Sequence, residues 1–289
     1  MDLTVLGCRG GVPGEEASSG YLVTHHATAL LLDCGPGVFG RLVASGLRDR
    51  LSGVVLTHLH YDHCADALVL ARALAVKAAA GSEEGAPSEV GRLASVPALL
   101  VPEGGDELLQ AMAQLFPVPV LPAYQRCFEI GLGLATMVDG ERVDIGDLQI
   151  QAFRLRHAIP NNGLRITAGG VSLAYTGDTG PCDEVIALAR GVDLLLCEAT
   201  FDRSGVHPEH GHLSAQEAGV IAREAEVGAL VLTHFLEGSP SWRLRQVELA
   251  RREFSGPIVA ATAGMTIPLS FGAALPSATR TAPLGSIQP

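Results

Sequence analysis

The chain has 289 residues, 47% of them apolar, enough to bury a sizeable core in one large α/β domain or two small ones. Its formal net charge of -11, from 20 basic and 31 acidic residues, repels polyanions at long range, and no local basic patch interrupts it, so a long nucleic acid is a disfavoured partner. Six cysteines without a Cys-x-x-Cys pair argue against a disulfide framework or a thiolate metal site and point to a reduced, cytoplasmic protein.

Residues 2–7 read as a first strand with no basic stretch and apolar core ahead of it, so no signal peptide is expected. A glycine-rich loop follows, with Ser18 and Ser19 near its end; as a phosphate-binding signal it is weak. Segments 21–23 and 29–34 read as a hairpin pair, with His25 and His26 as ordinary turn residues. A helix is predicted over 36–46, with Pro36 near its start and Gly46 as its stop. The apolar run 51–56 reads as a buried strand, and residues 62–77 have helical spacing. The apolar stretch 67–80 is interrupted by Arg72 and Lys77 and rich in alanine, so no membrane span is expected. Residues 80–95 have the composition of a mobile loop.

Further along, strands are predicted at 97–101, 132–138 and 148–156, with a helix over 105–116. A hairpin over 164–167 and 171–175 turns at Gly169-Gly170, and 193–197 is another apolar strand. Loop 202–212 carries His207, His210 and His212, of which the first two are expected at the surface. Ser214 and Glu217 form a capping box for a helix reaching about residue 226. A strand over 230–232, a helix over 241–254 and a strand over 258–261 complete the series. Residues 1–272 are expected as one domain and 273–289 as a disordered tail.

The densest chemistry is Thr57-His58-Leu59-His60-Tyr61-Asp62-His63, at the end of the buried strand. Imidazole and carboxylate are the usual ligands of a borderline cation such as zinc. Side chains alternate along an extended segment, so His58 and His60 point the same way and can share one ion. Beyond the strand the chain turns, which lets Asp62 and His63 reach a second position. His58, His157, Asp178, Glu198 and His234 each stand at or just past the carboxyl end of an apolar strand, a repeated placement that suggests one site built from several loops.

With these residues in order, the chain resembles the metallo-β-lactamase superfamily over about residues 1–270. The His58-to-His63 segment matches its His-x-His-x-Asp-His signature, and His157, Asp178 and His234 match its later ligand motifs. The resemblance implies an α/β fold, the four-layer αβ/βα sandwich, with two divalent metal ions, zinc first and manganese or iron also suited. It places His58, His60 and His157 on one metal, Asp62, His63 and His234 on the other, and Asp178 between them. Glu198-Ala199-Thr200-Phe201 and Gly211-His212-Leu213-Ser214 are similar to elements of the RNase Z-like phosphodiesterases, a branch in which homodimers are common. RNase Z that processes transfer RNA carries a long arm between the third histidine motif and the bridging aspartate. Here only 20 residues separate His157 from Asp178, with no room for that arm. The whole pattern looks most like the bacterial atypical class II cyclic-nucleotide phosphodiesterases.

That resemblance implies hydrolysis of a small nucleotide phosphodiester, 3′,5′-cyclic AMP first, by hydroxide formed from water whose pKa the metals lower to about 7. Asp62 is the expected proton acceptor, His212 the proton donor to the departing oxygen, and Glu198 the group that orients His212. Transfer-RNA 3′ processing and ester or thioester hydrolysis on the same metals are the alternatives. A binding protein without turnover is disfavoured, because the full ligand set and the Glu198–His212 pair are present.

Overall fold

The computed structural model describes residues 1–80, 96–203 and 211–270. The expectations for 80–95, for His207 and His210 and for the 273–289 tail therefore fall outside the described residues, apart from Ala80 itself, which closes a helix.

Two seven-stranded sheets face each other. The first runs β14-β1-β2-β3-β4-β5-β6, built from β1 (Asp2–Gly7), β2 (Gly20–His25), β3 (Thr28–Leu32), β4 (Gly53–Val55), β5 (Ala98–Val101), β6 (Gly133–Thr136) and β14 (Thr266–Pro268). The second runs β13-β12-β11-β10-β9-β8-β7, from β7 (Arg142–Ile145), β8 (Leu148–Leu155), β9 (Asn161–Ala168), β10 (Val171–Tyr175), β11 (Leu194–Glu198), β12 (Leu230–Thr233) and β13 (Ile258–Ala260). Each sheet is part antiparallel and part parallel: β3 to β6 pair parallel in one, β10 to β13 in the other.

The period-two alternation of strand side chains sorts apolar residues into separate layers. Leu3 and Val5 of β1, Tyr21 and Val23 of β2, and Leu30 and Leu32 of β3 enter the core between the sheets, with Ile150, Ile166 and Leu173 opposite. Their neighbours Leu6, Leu22 and Leu31 turn the other way, under the helices of the first sheet. Those helices are α1 (Val38–Ala44), α2 (Tyr61–Cys64), α3 (Ala67–Ala80), α4 (Gly105–Leu115) and α5 (Cys127–Ile130). Against the second sheet pack α6 (Asp183–Ala189), α7 (Ala215–Glu224) and α8 (Pro240–Arg251). The result is a four-layer αβ/βα sandwich, as the resemblance implies.

The predicted helix over 62–77 is instead two helices, because Asp66 leaves the helical path between them. Its backbone N–H bonds to the Cys34 carbonyl at 2.9 Å, and its Oδ2 accepts from the Phe39 N–H at 3.0 Å, tying the break to the loop after β3. The strand predicted from 164 begins earlier, since Asn161 and Asn162 already pair with β8. Short β7, α5 and β14 carry too few residues to show a period and have no counterpart among the predicted elements. Among the described residues no helix is long and apolar enough to cross a membrane.

Candidate metal centre

The carboxyl ends of β3, β4, β8, β10, β11 and β12 converge at one end of the seam between the sheets. Past β4 come Thr57 and His58, and the turn into α2 delivers His60, Asp62 and His63. From the other sheet come His157 after β8, Asp178 after β10, Glu198 at the end of β11 and His234 after β12.

Two of the clusters so formed match the two expected sets. His58, His60, His157 and Asp178 form one, and Asp62, His63 and His234 another, with donor atoms in each within 4.8 Å of one another. A third grouping joins Asp178, His212 and His234. The His58 Nε2 and His157 Nε2 atoms each lie 3.1 Å from His60 Nδ1, and His63 Nε2 lies 3.1 Å from His234 Nε2. Two nitrogens around a tetrahedral ion with Zn–N bonds of about 2.0–2.1 Å stand about 3.3 Å apart, so the spacing fits a shared cation. Asp178 presents Oδ2 to His58 Nε2 at 3.5 Å and Oδ1 to His63 and His234 at 3.3 Å each. That Oδ1 is buried without a hydrogen-bond partner, an arrangement suited to a bridging cation ligand.

The imidazoles are held from behind. His157 Nδ1 donates to the Gly211 carbonyl at 3.0 Å, and His63 Nδ1 to Asp33 Oδ2 at 2.7 Å. His58 Nδ1 and His234 Nδ1 meet the hydroxyls of Thr57 at 3.1 Å and Thr200 at 2.8 Å. Such backing aims the inward nitrogens and raises their basicity as ligands. Burial, then the neighbouring His63, pushes His58 down to about 3, and burial also lowers His60 and His157, so these rings are neutral donors at pH 7. Burial alone would lower His63 too, but Asp178 and then Asp33 carry it well above its usual value. Burial opposes the charge on Asp62 as well; the adjacent His234 and the charge of His63 outweigh it and lower the carboxyl.

Two glycines allow the chain to close over these groups. A Cβ on Gly10 would lie 2.7 Å from the His234 ring, and one on Gly35 would lie 1.9 Å from the Asp62 carbonyl oxygen. The loop carrying Gly10 also brings the Gly11 N–H to Asp62 Oδ2 at 2.6 Å.

Beside the clusters, His212 Nδ1 stands 3.1 Å from both oxygens of Glu198, which is fully buried. Burial would lower His212; the Glu198 carboxylate, by charge and hydrogen bond, outweighs it and raises the ring to about 9. Cys182 precedes α6 as its N-cap, outside the clusters.

Asp33, Thr57, Tyr175 and Thr200 have no role in the sequence reading. Asp33 is fully buried and accepts from Thr57 N–H, His63 and the Tyr175 hydroxyl, the last at 2.6 Å. The signal was the run Leu30-Leu31-Leu32-Asp33, a buried strand ending in a carboxylate.

The Beta-lactamase superfamily domain matches residues 28–235. The chain is 37% identical over 266 residues to an uncharacterized protein of Mycobacterium tuberculosis, covering 89% of this chain and 88% of that protein. It is 31% identical over 265 residues to the probable metallo-hydrolase YhfI of Bacillus subtilis, covering 91% and 98%. The crystal structure of YhfI superposes with a TM-score of 0.73 at 27% identity, covering 92% of this chain and 98% of that one. Ribonuclease Z of Mycobacterium bovis is 30% identical over 285 residues, covering 89% and 94%.

Proposed function

The chain belongs to the beta-lactamase superfamily and is a metal-dependent hydrolase, and from that premise we propose that it cleaves the phosphodiester of a small nucleotide, 3′,5′-cyclic AMP first, with two divalent ions. The observation that carries this reading is the Glu198–His212 pair beside the histidine clusters. Thioester hydrolysis expels a thiolate, an easier departing group with less need for such a proton donor.

His58, His60 and His157 would hold one ion, Asp62, His63 and His234 the other, and Asp178 both. Zinc suits these donors, as do manganese and iron. When bound, the pair of ions supplies Lewis-acid charge at phosphorus and a nucleophile at neutral pH. Asp62 accepts the proton of the attacking water. It is held for this by the Gly11 N–H on Oδ2. His212 donates from Nε2 to the departing 3′ oxygen while Glu198 holds its Nδ1 proton, which keeps the ring charged and aimed.

The small substrate is favoured by two features. Only the β9–β10 hairpin lies between His157 and Asp178, and the chain carries a net charge of -11. Likeness to a ribonuclease Z keeps transfer-RNA 3′ processing as the second reading. The test offers zinc- or manganese-loaded enzyme cyclic AMP and, separately, a 3′-extended transfer-RNA precursor, with Asp62→Ala as the blank. Cyclic AMP cleavage without trimming is expected. Trimming alone would replace the small-nucleotide reading with the second one.

A further inference from the structure

We infer that Thr57 and Thr200 are a matched pair of hydroxyl relays that fix the proton positions of His58 and His234. Each accepts the Nδ1 proton of one inward-facing imidazole and donates its own hydroxyl hydrogen to a buried carboxylate. The inference rests on the reading of these imidazoles as metal ligands and adds the residues that prepare them.

A threonine hydroxyl has one hydrogen, and an ionised carboxylate can only accept. Thr57 Oγ1 lies 3.0 Å from both oxygens of Asp33 and 3.1 Å from His58 Nδ1. Its hydrogen is committed to Asp33, so the hydrogen on the other contact comes from His58 Nδ1. The same accounting holds across the seam. Thr200 Oγ1 lies 2.6 Å from Glu198 Oε2 and 2.8 Å from His234 Nδ1, so His234 carries its proton on Nδ1. A ring that keeps its proton on Nδ1 can offer Nε2 to the cluster as a lone pair, the form a cation requires.

The two devices have the same plan. Each carboxylate holds one imidazole directly and a second through a hydroxyl: Asp33 takes His63 at 2.7 Å and reaches His58 through Thr57. Glu198 takes His212 at 3.1 Å and reaches His234 through Thr200. Asp33, Thr57 and Glu198 are wholly buried and Thr200 nearly so, which leaves little access for solvent to replace a missing hydroxyl. Thr57 is anchored independently of its side chain, since its N–H donates to Asp33 at 2.7 Å and its carbonyl accepts from the Asn162 N–H at 2.9 Å. Exchange for valine therefore removes the hydroxyl and leaves the backbone path in place.

The test measures two quantities on wild type and on Thr57→Val, Thr57→Ser, Thr200→Val and Thr200→Ser. Long-range ¹⁵N–¹H correlation on metal-stripped protein reads the tautomers of His58 and His234. Cobalt(II) titration against a competing chelator reads affinity without any substrate. Wild type should show Nδ1–H on both rings. Each valine variant should lose roughly 10- to 100-fold in cobalt affinity, the scale for a lost outer-shell partner, and each serine variant should recover most of it. Wild-type rings protonated on Nε2 and bare on Nδ1 overturn the relay, as do valine variants that bind cobalt like wild type with unchanged tautomers. If a valine variant does not fold, the wild-type spectrum and its serine counterpart decide. Wild type that shows Nδ1–H yet takes up no cobalt refutes the metal reading of the site and leaves the relay standing.

Discussion

His212 stands at the edge of the histidine clusters with 17% of its side chain exposed, while Glu198 beneath it is wholly covered. A proton donor must meet the substrate, and its orienting partner need not. Replacing His212 by alanine should cut phosphodiester cleavage by roughly 10²- to 10⁴-fold, the usual range for a lost general acid. Metal content, measured by elemental analysis of the purified variant, should stay at the wild-type level. Equal loss of metal and activity would make His212 a ligand instead, a role for which its grouping with Asp178 and His234 leaves room. At this scale the sequence was uneven in what it disclosed. His58, His60, Asp62 and His63 are legible because they crowd one turn of chain. His157, Asp178 and His234 gained their expected places from family resemblance, each being a single polar residue after a strand. Asp33 escaped notice for the same reason, without a motif to single it out.

At the scale of elements, two tyrosines bind the sheets to each other just below the site. Tyr21 of β2 reaches across to the Thr233 hydroxyl at 2.6 Å, and Tyr175 of β10 reaches back to Asp33 at 2.6 Å. Their rings meet edge to face with centroids 5.0 Å apart. Tyr21→Phe should cost about 1–2 kcal/mol in urea unfolding, because the Thr233 hydroxyl stays buried without its partner. Adding Thr233→Val should return part of that loss; an additive double variant would mean the bond contributes nothing. Strand β8 was readable nearly whole, β9 only over its second half, and α7 from its Ser214–Glu217 capping box, which the structure contains. The break between α2 and α3 was not readable, since Asp66 leaves the helix for partners on the loop after β3 and on α1, contacts that local spacing does not encode.

Over the whole molecule, burial governs the six cysteines. All are free; Cys182 is partly exposed and the others are buried. Burial pushes both Cys8 and Cys64 up to about 12, so neither forms thiolate near neutral pH. A thiol reagent at pH 8 should therefore modify Cys182 alone in the folded protein and all six cysteines in denaturant. Fast labelling of a second thiol without unfolding would contradict the packing. The candidate ligands come from both sheets, so bound metal joins the two halves of the sandwich. At free metal about 100-fold above its dissociation constant this linkage adds about 2.7 kcal/mol. Stripping metal with a chelator should lower the melting temperature by roughly 5–10 °C for a chain of this size. An unchanged melting temperature would refute a metal bridge between the sheets.

The same division of ligands between the sheets sets a timetable for synthesis. His63 and His234 meet in the finished site yet lie 171 positions apart in the chain. At about 5–20 residues per second, the first candidate ligands leave the ribosome roughly 9–35 s before the last. Early in that interval only His58, His60, Asp62 and His63 of the candidate ligands have emerged. Full enclosure of an ion awaits the second sheet, so the candidate site is complete only when translation of this region is nearly finished.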